Sequence, residues 1–326
     1  MSGQITLKSA TLCVLLVSLA GIIGCQSNRP NNPPPPPATK PAANARPLID
    51  FSRGAGGFPL AGETLPKTRD ALVESLLAGY RSRVSIPDDG RVRITATGDA
   101  YPTLDALTID LTDTQIKGSY RPASMRNPVR LSDGLFVKRL QYVAQPLRYV
   151  DGSTNLSITA RDARLDLLRG RRGESGTLVM TECTDGRVNF DVPITDLRSM
   201  LLSAAKAGGS RSGYFVRNVD AKFASDDSRS LSCDIGVSGF WLLLPTALRL
   251  TARVDVDDAF NARLSNVRCT GEDVGGFLVA GWIDNALKKY DGRVMPLAAF
   301  PGGKIKVRDL HIGVDDALHI FVGFGS

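Results

Sequence analysis

Alternating hydrophobic and polar positions dominate the chain from residue 92 to its C-terminus. Such period-two alternation is typical of half-buried antiparallel strands, because successive side chains of a strand point to opposite faces. The pattern therefore predicts a long antiparallel sheet with one apolar face. The apolar positions of its strands are Val92, Ile94 and Ala96; Leu107, Ile109 and Leu111; Leu156, Ile158 and Ala160; Val188, Phe190 and Val192; Leu231, Cys233, Ile235 and Val237; and Leu248, Leu250, Ala252, Val254 and Val256.

Three segments interrupt this alternation with the spacing of amphipathic helices. We expect one helix over 66–83 with Pro66 in its first turn, one from an N-cap at Thr195 to a stop at Gly208-Gly209, and one over 275–290. Their apolar stripes contain Leu72, Leu76 and Tyr80; Leu197, Met200, Leu201 and Ala204; and Leu278, Trp282 and Ala286, with Ile283 and Leu287 beside them.

The chain ends with two alternating runs, 304–314 and 317–325, which are separated by Asp315-Asp316. This spacing predicts a C-terminal hairpin. His311 and His319 fall in this hairpin, where a two-residue turn would set them one position out of register. Since no acidic or cysteine ligand neighbours them in these runs, we predict no metal site.

The N-terminus has the layout of a signal peptide: Lys8 precedes the apolar run 10–23. This run is shorter than the roughly 20 residues of a spanning helix. Ile22-Ile23-Gly24-Cys25 resembles the lipobox of bacterial lipoproteins. We therefore expect 1–24 to be removed and Cys25 to carry diacylglycerol that anchors the chain in a membrane. In Gram-negative lipoproteins, an aspartate directly after the lipidated cysteine favours retention in the inner membrane. Gln26 and Ser27 follow Cys25 here, so by analogy we expect the outer membrane, with the protein facing the periplasm.

Residues 25–47 include five consecutive prolines and no apolar pattern, which predicts an extended tether. Residues 48–326 are long enough for one large domain or two smaller ones, and two related halves near 48–175 and 176–326 are one interpretation. The composition, 43% hydrophobic, indicates a globular region.

The formal net charge of +7 is a modest excess, and it predicts no nucleic-acid partner in an exported protein. Arg169, Arg171 and Arg172 form the densest basic cluster, on a predicted loop. Two interpretations of this cluster remain open: a solvated loop, and contact with anionic lipid headgroups or another acidic surface.

Three cysteines, Cys183, Cys233 and Cys269, lie in the predicted globular region. An exported protein can form one disulfide from them, but each lies in an apolar strand-like run, which favours a small buried hydrophobe. No hydrolase, metalloprotease or nucleotide-binding motif occurs. The carboxylate pairs Asp88-Asp89, Asp226-Asp227, Asp257-Asp258 and Asp315-Asp316 sit at predicted turns, so we expect neither an enzyme nor a cofactor.

The C-terminal part resembles the LmeA-like and YceB-like exported proteins of the tubular lipid-binding (TULIP) superfamily. The resemblance rests on Trp282-Ile283-Asp284-Asn285-Ala286-Leu287, Pro296-Leu297, the segment 301–307 and the closing hairpin. The strand predicted at 107–111 and the strand-to-helix passage at 192–197 are also similar to that superfamily. It implies an α+β fold, in which a long, strongly curved antiparallel sheet wraps around one or two amphipathic helices and encloses an apolar groove.

The resemblance implies that the chain binds or handles lipid, with a phospholipid as ligand. The run Phe240-Trp241-Leu242-Leu243-Leu244 agrees with such a groove, because it places apolar bulk on both faces of a strand. A second function stays open, a non-catalytic envelope scaffold that binds a protein or glycan; the sequence gives no oligomeric state. The candidate groove residues are Leu72, Leu76, Phe240, Trp241, Leu243, Leu278, Trp282 and Ile283.

Overall fold

A computed structural model describes residues 57–82, 84–85, 92–116, 131–149, 151–169, 175–209, 213–241, 244–297 and 304–326. The predicted signal peptide, Cys25 and the proline-rich tether lie outside the described residues, as do Asp88-Asp89, Arg171, Arg172 and Leu243. No helix in the described ranges has both the length and the apolar character needed to cross a membrane.

The described chain is mostly β-strand with three α-helices, so the α+β class is confirmed. The helices are α1 (Arg69–Arg81), α2 (Ile194–Gly209) and α3 (Val274–Leu287), which continues as a 3-10 turn over Lys288–Tyr290. The strands are β1 (Phe58–Pro59), β2 (Val84–Ser85), β3 (Arg93–Thr97), β4 (Thr103–Asp110), β5 (Gln115–Ile116), β6 (Ser132–Tyr149), β7 (Gly152–Leu168), β8 (Thr177–Glu182), β9 (Asp185–Pro193), β10 (Tyr214–Ala224), β11 (Ser230–Trp241), β12 (Leu244–Val256), β13 (Asn261–Gly271), β14 (Val294–Pro296), β15 (Lys306–Val314) and β16 (Ala317–Gly325).

All three predicted helices form, with shifted starts. The first begins after Thr68, whose Oγ1 accepts a hydrogen bond from the N–H of Ala71 at 3.3 Å, so Pro66 lies outside the helix. The second begins at Ile194, directly at the end of β9, and the N–H of Ile194 donates to the carbonyl oxygen of Asp316. The prediction that Thr195 caps this helix was therefore wrong, because a neighbouring loop supplies the partner.

The large sheet has the strand order β15-β16-β9-β7-β6-β4-β3, with the short strands β1, β2, β5 and β8 at its margins. Most neighbours are antiparallel, as the alternation predicts, but β4 runs parallel to β6. The C-terminal hairpin forms as predicted and pairs through β16 with β9. The large sheet thus takes strands from both of the predicted halves.

The second sheet is a meander with the order β10-β11-β12-β13-β14, in which all neighbours are antiparallel. Helix α3 packs against β12 and β13, and α2 packs against β10. The turn before β11 meets edge strand β15, where the N–H of Ile312 donates to the carbonyl oxygen of Ser228 at 2.7 Å. Arg198 of α2 donates to the carbonyl oxygen of Ala221 at 2.8 Å, which ties α2 to the second sheet.

Candidate functional site

Two glycines at the start of α3 bring this helix close to the second sheet. A Cβ atom at Gly275 would overlap the carbonyl oxygen of Pro245, and one at Gly276 would overlap that of Ala247. Asp273 caps the helix by accepting from the N–H of Gly276 at 2.6 Å. Because the glycines face the sheet, the large side chains beside them face outward.

The outward face of α3 is apolar along most of its length. Val274 is 81% exposed, Phe277 75%, Leu278 63% and Trp282 48%. Gly281 and Asn285 are the other exposed positions of the helix. Helical spacing of three and four residues places these positions on one side.

The charges of α3 lie away from this apolar face. Asp284 is the only charged residue of the helix, and it accepts from the N–H of Cys269 in β13 at 3.1 Å. This hydrogen bond lowers the pKa of Asp284 below its ordinary value, with a further contribution from Lys288. Lys288 and Lys289 follow the helix and are exposed, so positive charge stands at one end of the apolar face.

The end of the second sheet at which α3 begins adds exposed apolar side chains. Phe215 is 70% exposed and pairs directly with Phe240, which is 37% exposed. Leu244, 45% exposed, begins the next strand and is followed by Pro245, on which Gly275 packs. We call the set formed by these three residues and the exposed apolar side chains of α3 the apolar end: Phe215, Phe240, Leu244, Val274, Phe277, Leu278 and Trp282.

Beneath the apolar end the sheet is tied together by a buried tyrosine. The hydroxyl of Tyr214 donates to the carbonyl oxygen of Thr246 at 3.0 Å, across the intervening strand β11. Burial raises the pKa of Tyr214 to about 12, so it stays a neutral donor. This hydrogen bond links strands β10 and β12 at the end of the sheet that bears Phe215 and Leu244.

The structure describes seven of the eight predicted groove residues and separates them. Phe240, Leu278 and Trp282 belong to the apolar end, whereas Trp241 and Ile283 are partly buried against the core. Leu72 and Leu76 have no exposed surface, and their helix α1 packs against β1, β2 and β3 of the large sheet. The seven of these residues that the structure describes therefore do not line one groove.

Four residues of the apolar end were not predicted: Phe215, Leu244, Val274 and Phe277. A signal for α3 was present in the sequence, because Gly275-Gly276 marks the side of a helix that approaches a backbone closely. Leu244 ends the apolar run 240–244 of the sequence analysis, whereas Phe215 gave no comparable signal. Their exposure depends on where strands β10 and β12 begin.

A second cluster, polar in character, surrounds His319 on strand β16 of the large sheet, between β15 and β9. The imidazole lies between two carboxylates, with Nδ1 at 2.6 Å from Asp191 Oδ1 and Nε2 at 3.0 Å from Asp315 Oδ1. The hydrogen bonds to Asp191 and then Asp315 raise the pKa of His319 above its ordinary value. An open pocket of about 340 Å³ adjoins the cluster, and its lining includes His311, Asn189 and Phe321.

The sequence analysis was wrong about the surroundings of both histidines. His311 pairs with Phe321 and His319 pairs with Gly313, so the histidines lie two positions apart on one face rather than one position out of register. Acidic neighbours are also present, because His311 Nδ1 lies 3.2 Å from Asp309 Oδ1. The partner of His319 on β9 is distant in sequence and invisible to a search for local motifs.

The remaining candidates are members of neither cluster. Arg169 is exposed just beyond the end of β7. Cys183, Cys233 and Cys269 are buried and form no disulfide with one another, in agreement with the interpretation as small buried hydrophobes. Burial raises the pKa of Cys183 and of Cys269 to about 11, so these thiols are unreactive near neutral pH.

The three described carboxylate pairs lie at turns, as predicted: Asp226-Asp227, Asp257-Asp258 and Asp315-Asp316. Asp257, for example, accepts from the N–H of Asn261 at 2.8 Å, which closes the turn between β12 and β13.

Comparison of the chain with protein-family models, curated proteins and solved structures finds no match.

Proposed function

We propose that this chain is an exported bacterial lipoprotein that handles lipid in the cell envelope and contacts a bilayer through its apolar end. The observation that carries the proposal is the outward face of α3, where four large apolar side chains are 48–81% exposed. Soluble proteins rarely expose contiguous apolar surfaces of this kind without a binding role.

The chemistry of α3 favours a membrane surface as the contact. Helices that lie in the headgroup region combine an apolar face, aromatic side chains and lysines. Phe277 and Trp282 supply the aromatic groups, and Lys288 and Lys289 stand where anionic headgroups would lie. Burying on the order of 300 Å² of apolar surface contributes about 7 kcal/mol before the cost of immobilising the protein.

The apolar end complements the lipid anchor predicted at Cys25. A proline-rich tether of about 3 Å per residue would allow the globular region to stand away from the membrane or to return to it. Two membrane contacts on one chain reinforce each other, because the anchor holds the second contact at high local concentration.

We expect a lipid ligand because the sequence resembles the TULIP superfamily. The same resemblance is the reason that the proposal includes a curved sheet around a groove. The apolar end is an open surface, in contrast with the enclosed groove of that superfamily. We therefore place the first lipid contact at the apolar end. Transfer of a phospholipid would begin with this contact.

Binding of the unanchored fragment 48–326 to vesicles tests the proposal. The fragment contains every helix and strand described above and lacks the predicted anchor. We expect it to co-sediment with vesicles of phosphatidylethanolamine and phosphatidylglycerol. The double variant Phe277→Ser, Leu278→Ser should bind at least tenfold more weakly, since each buried side chain contributes about 1.5 kcal/mol or more.

Phe136→Ser is the matched control, because Phe136 is 37% exposed on β6 of the large sheet. This variant should bind vesicles as the unmodified fragment does. Equal binding by the double variant, or none by the unmodified fragment, would overturn the lipid proposal. Stoichiometric capture of one envelope protein, lost in the double variant, would establish the scaffold function instead.

A further inference from the structure

The turn of the C-terminal hairpin brings together three side chains that can coordinate metal. Donor atoms of Asp315, Asp316 and His319 lie within 4.8 Å of one another. Asp315 and Asp316 form the turn, and His319 is the third residue of β16. All three are solvent-accessible, so a cation would reach them without any opening of the core.

A fourth residue orients the imidazole from the neighbouring strand. Asp191 of β9 is the direct cross-strand partner of His319, and its Oδ1 lies 2.6 Å from Nδ1. A carboxylate that accepts a hydrogen bond from Nδ1–H keeps the proton of the neutral imidazole on Nδ1 and leaves the lone pair of Nε2 available on the opposite side of the ring. Nε2 points toward Asp315, at 3.0 Å. Metal-binding histidines in proteins are oriented by carboxylates in the same way.

The charge of the cluster is a separate observation that favours a cation. Three carboxylates surround a single imidazole, so negative charge exceeds positive charge even when His319 is protonated. Within the described ranges, the ion pairs of Asp191 and Asp315 are those with His319, and no lysine or arginine pairs with Asp316. Like charges held this close are stabilised by a bound cation.

We propose that Asp315, Asp316 and His319 bind a divalent first-row transition cation, with Asp191 positioning the imidazole. One nitrogen and two carboxylate donors suit Zn²⁺ and its neighbours better than Mg²⁺ or Ca²⁺, which prefer oxygen ligands alone. The donor atoms must approach to roughly 2.0–2.2 Å from the ion, which exposed aspartates at a turn can do by side-chain rotation. The ligand residues are accessible to solvent, so water can complete the coordination of the ion.

Calorimetric titration with ZnCl₂ tests the site on the full-length chain in a nonionic detergent, after removal of metal by a chelator and of the chelator by dialysis. We expect one saturable site with micromolar or tighter affinity. His319→Ala should weaken the affinity at least 100-fold. Asp191→Asn should weaken it by about 10- to 100-fold, the usual loss when a group that orients a ligand is removed.

His311→Ala is the control, because His311 lines the same pocket but its closest acidic partner is Asp309. This variant should keep the affinity of the unmodified chain. Co²⁺ should give visible absorption bands that disappear in His319→Ala. Absence of saturable Zn²⁺ binding would overturn the proposal, as would equal losses in His311→Ala and His319→Ala; an unchanged affinity in Asp191→Asn would overturn the positioning role.

Discussion

Single glycines decide which side of α3 faces water. Gly271 of β13 and Gly276 of α3 meet backbone to backbone: a Cβ atom at Gly271 would overlap Gly276, and one at Gly276 would overlap the carbonyl oxygen of Ala247. Gly281 lies in the same helix with open space where its side chain would be. Gly276 therefore allows the helix to dock on the sheet, whereas Gly281 has no contact that requires a glycine.

We predict opposite effects of alanine at these two positions. Gly276→Ala should lower the free energy of unfolding by about 1–3 kcal/mol, because the helix must move off the sheet. Gly281→Ala should raise it by up to about 1 kcal/mol, because alanine favours a helix interior over glycine. Denaturant titration of the two variants measures both changes, and a stabilised Gly276→Ala would contradict the docking geometry.

The carboxylate of Asp284 should make the docking of α3 sensitive to acid. The hydrogen bond from the N–H of Cys269 lowers its pKa in the folded protein. A group of this kind contributes stability above its unfolded pKa, near 3.9, and loses it as pH falls through the folded value. The melting temperature of Asp284→Asn should therefore lie below that of the unmodified protein at pH 7, with a difference that shrinks below about pH 4. A difference independent of pH would contradict this role.

At the scale of elements, the sequence predicted whether a segment forms a strand or a helix better than it predicted which side of a helix faces the sheet. Alternation predicted the strands and the C-terminal hairpin, because burial of one face imposes period two. The stripe of Leu278 and Trp282 suggested an inward face for α3, but that helix is apolar around most of its surface. Periodicity cannot orient a helix of this composition, and the close contact at Gly275-Gly276 settles its orientation.

Strand partners also lay beyond the reach of the sequence pattern. The parallel pairing of β4 with β6 and the return of β16 to β9 are long-range choices that alternation does not encode. The cluster around His319 depends on the second of these pairings, since it places Asp191 beside the imidazole. For this reason local motifs could bring Asp315, Asp316 and His319 together but could not add Asp191 to them.

At the scale of the whole molecule, the two clusters lie on different sheets. The apolar end belongs to the second sheet, and the residues around His319 belong to the large sheet. The sheets are joined through α2 and through the contact of Ser228 with Ile312. Lipid contact and metal binding are therefore separable by mutation, and each test leaves the other site intact.

The fluorescence of Trp282 tests the central claim, that the apolar end contacts lipid. Trp241 and Trp282 are the two tryptophans of the chain, so Trp241→Phe in the fragment 48–326 leaves Trp282 as the sole reporter. With phosphatidylglycerol-containing vesicles, we predict that its emission shifts to shorter wavelength and is quenched by brominated acyl chains. An emission spectrum that stays unchanged at saturating vesicle concentration would contradict the account.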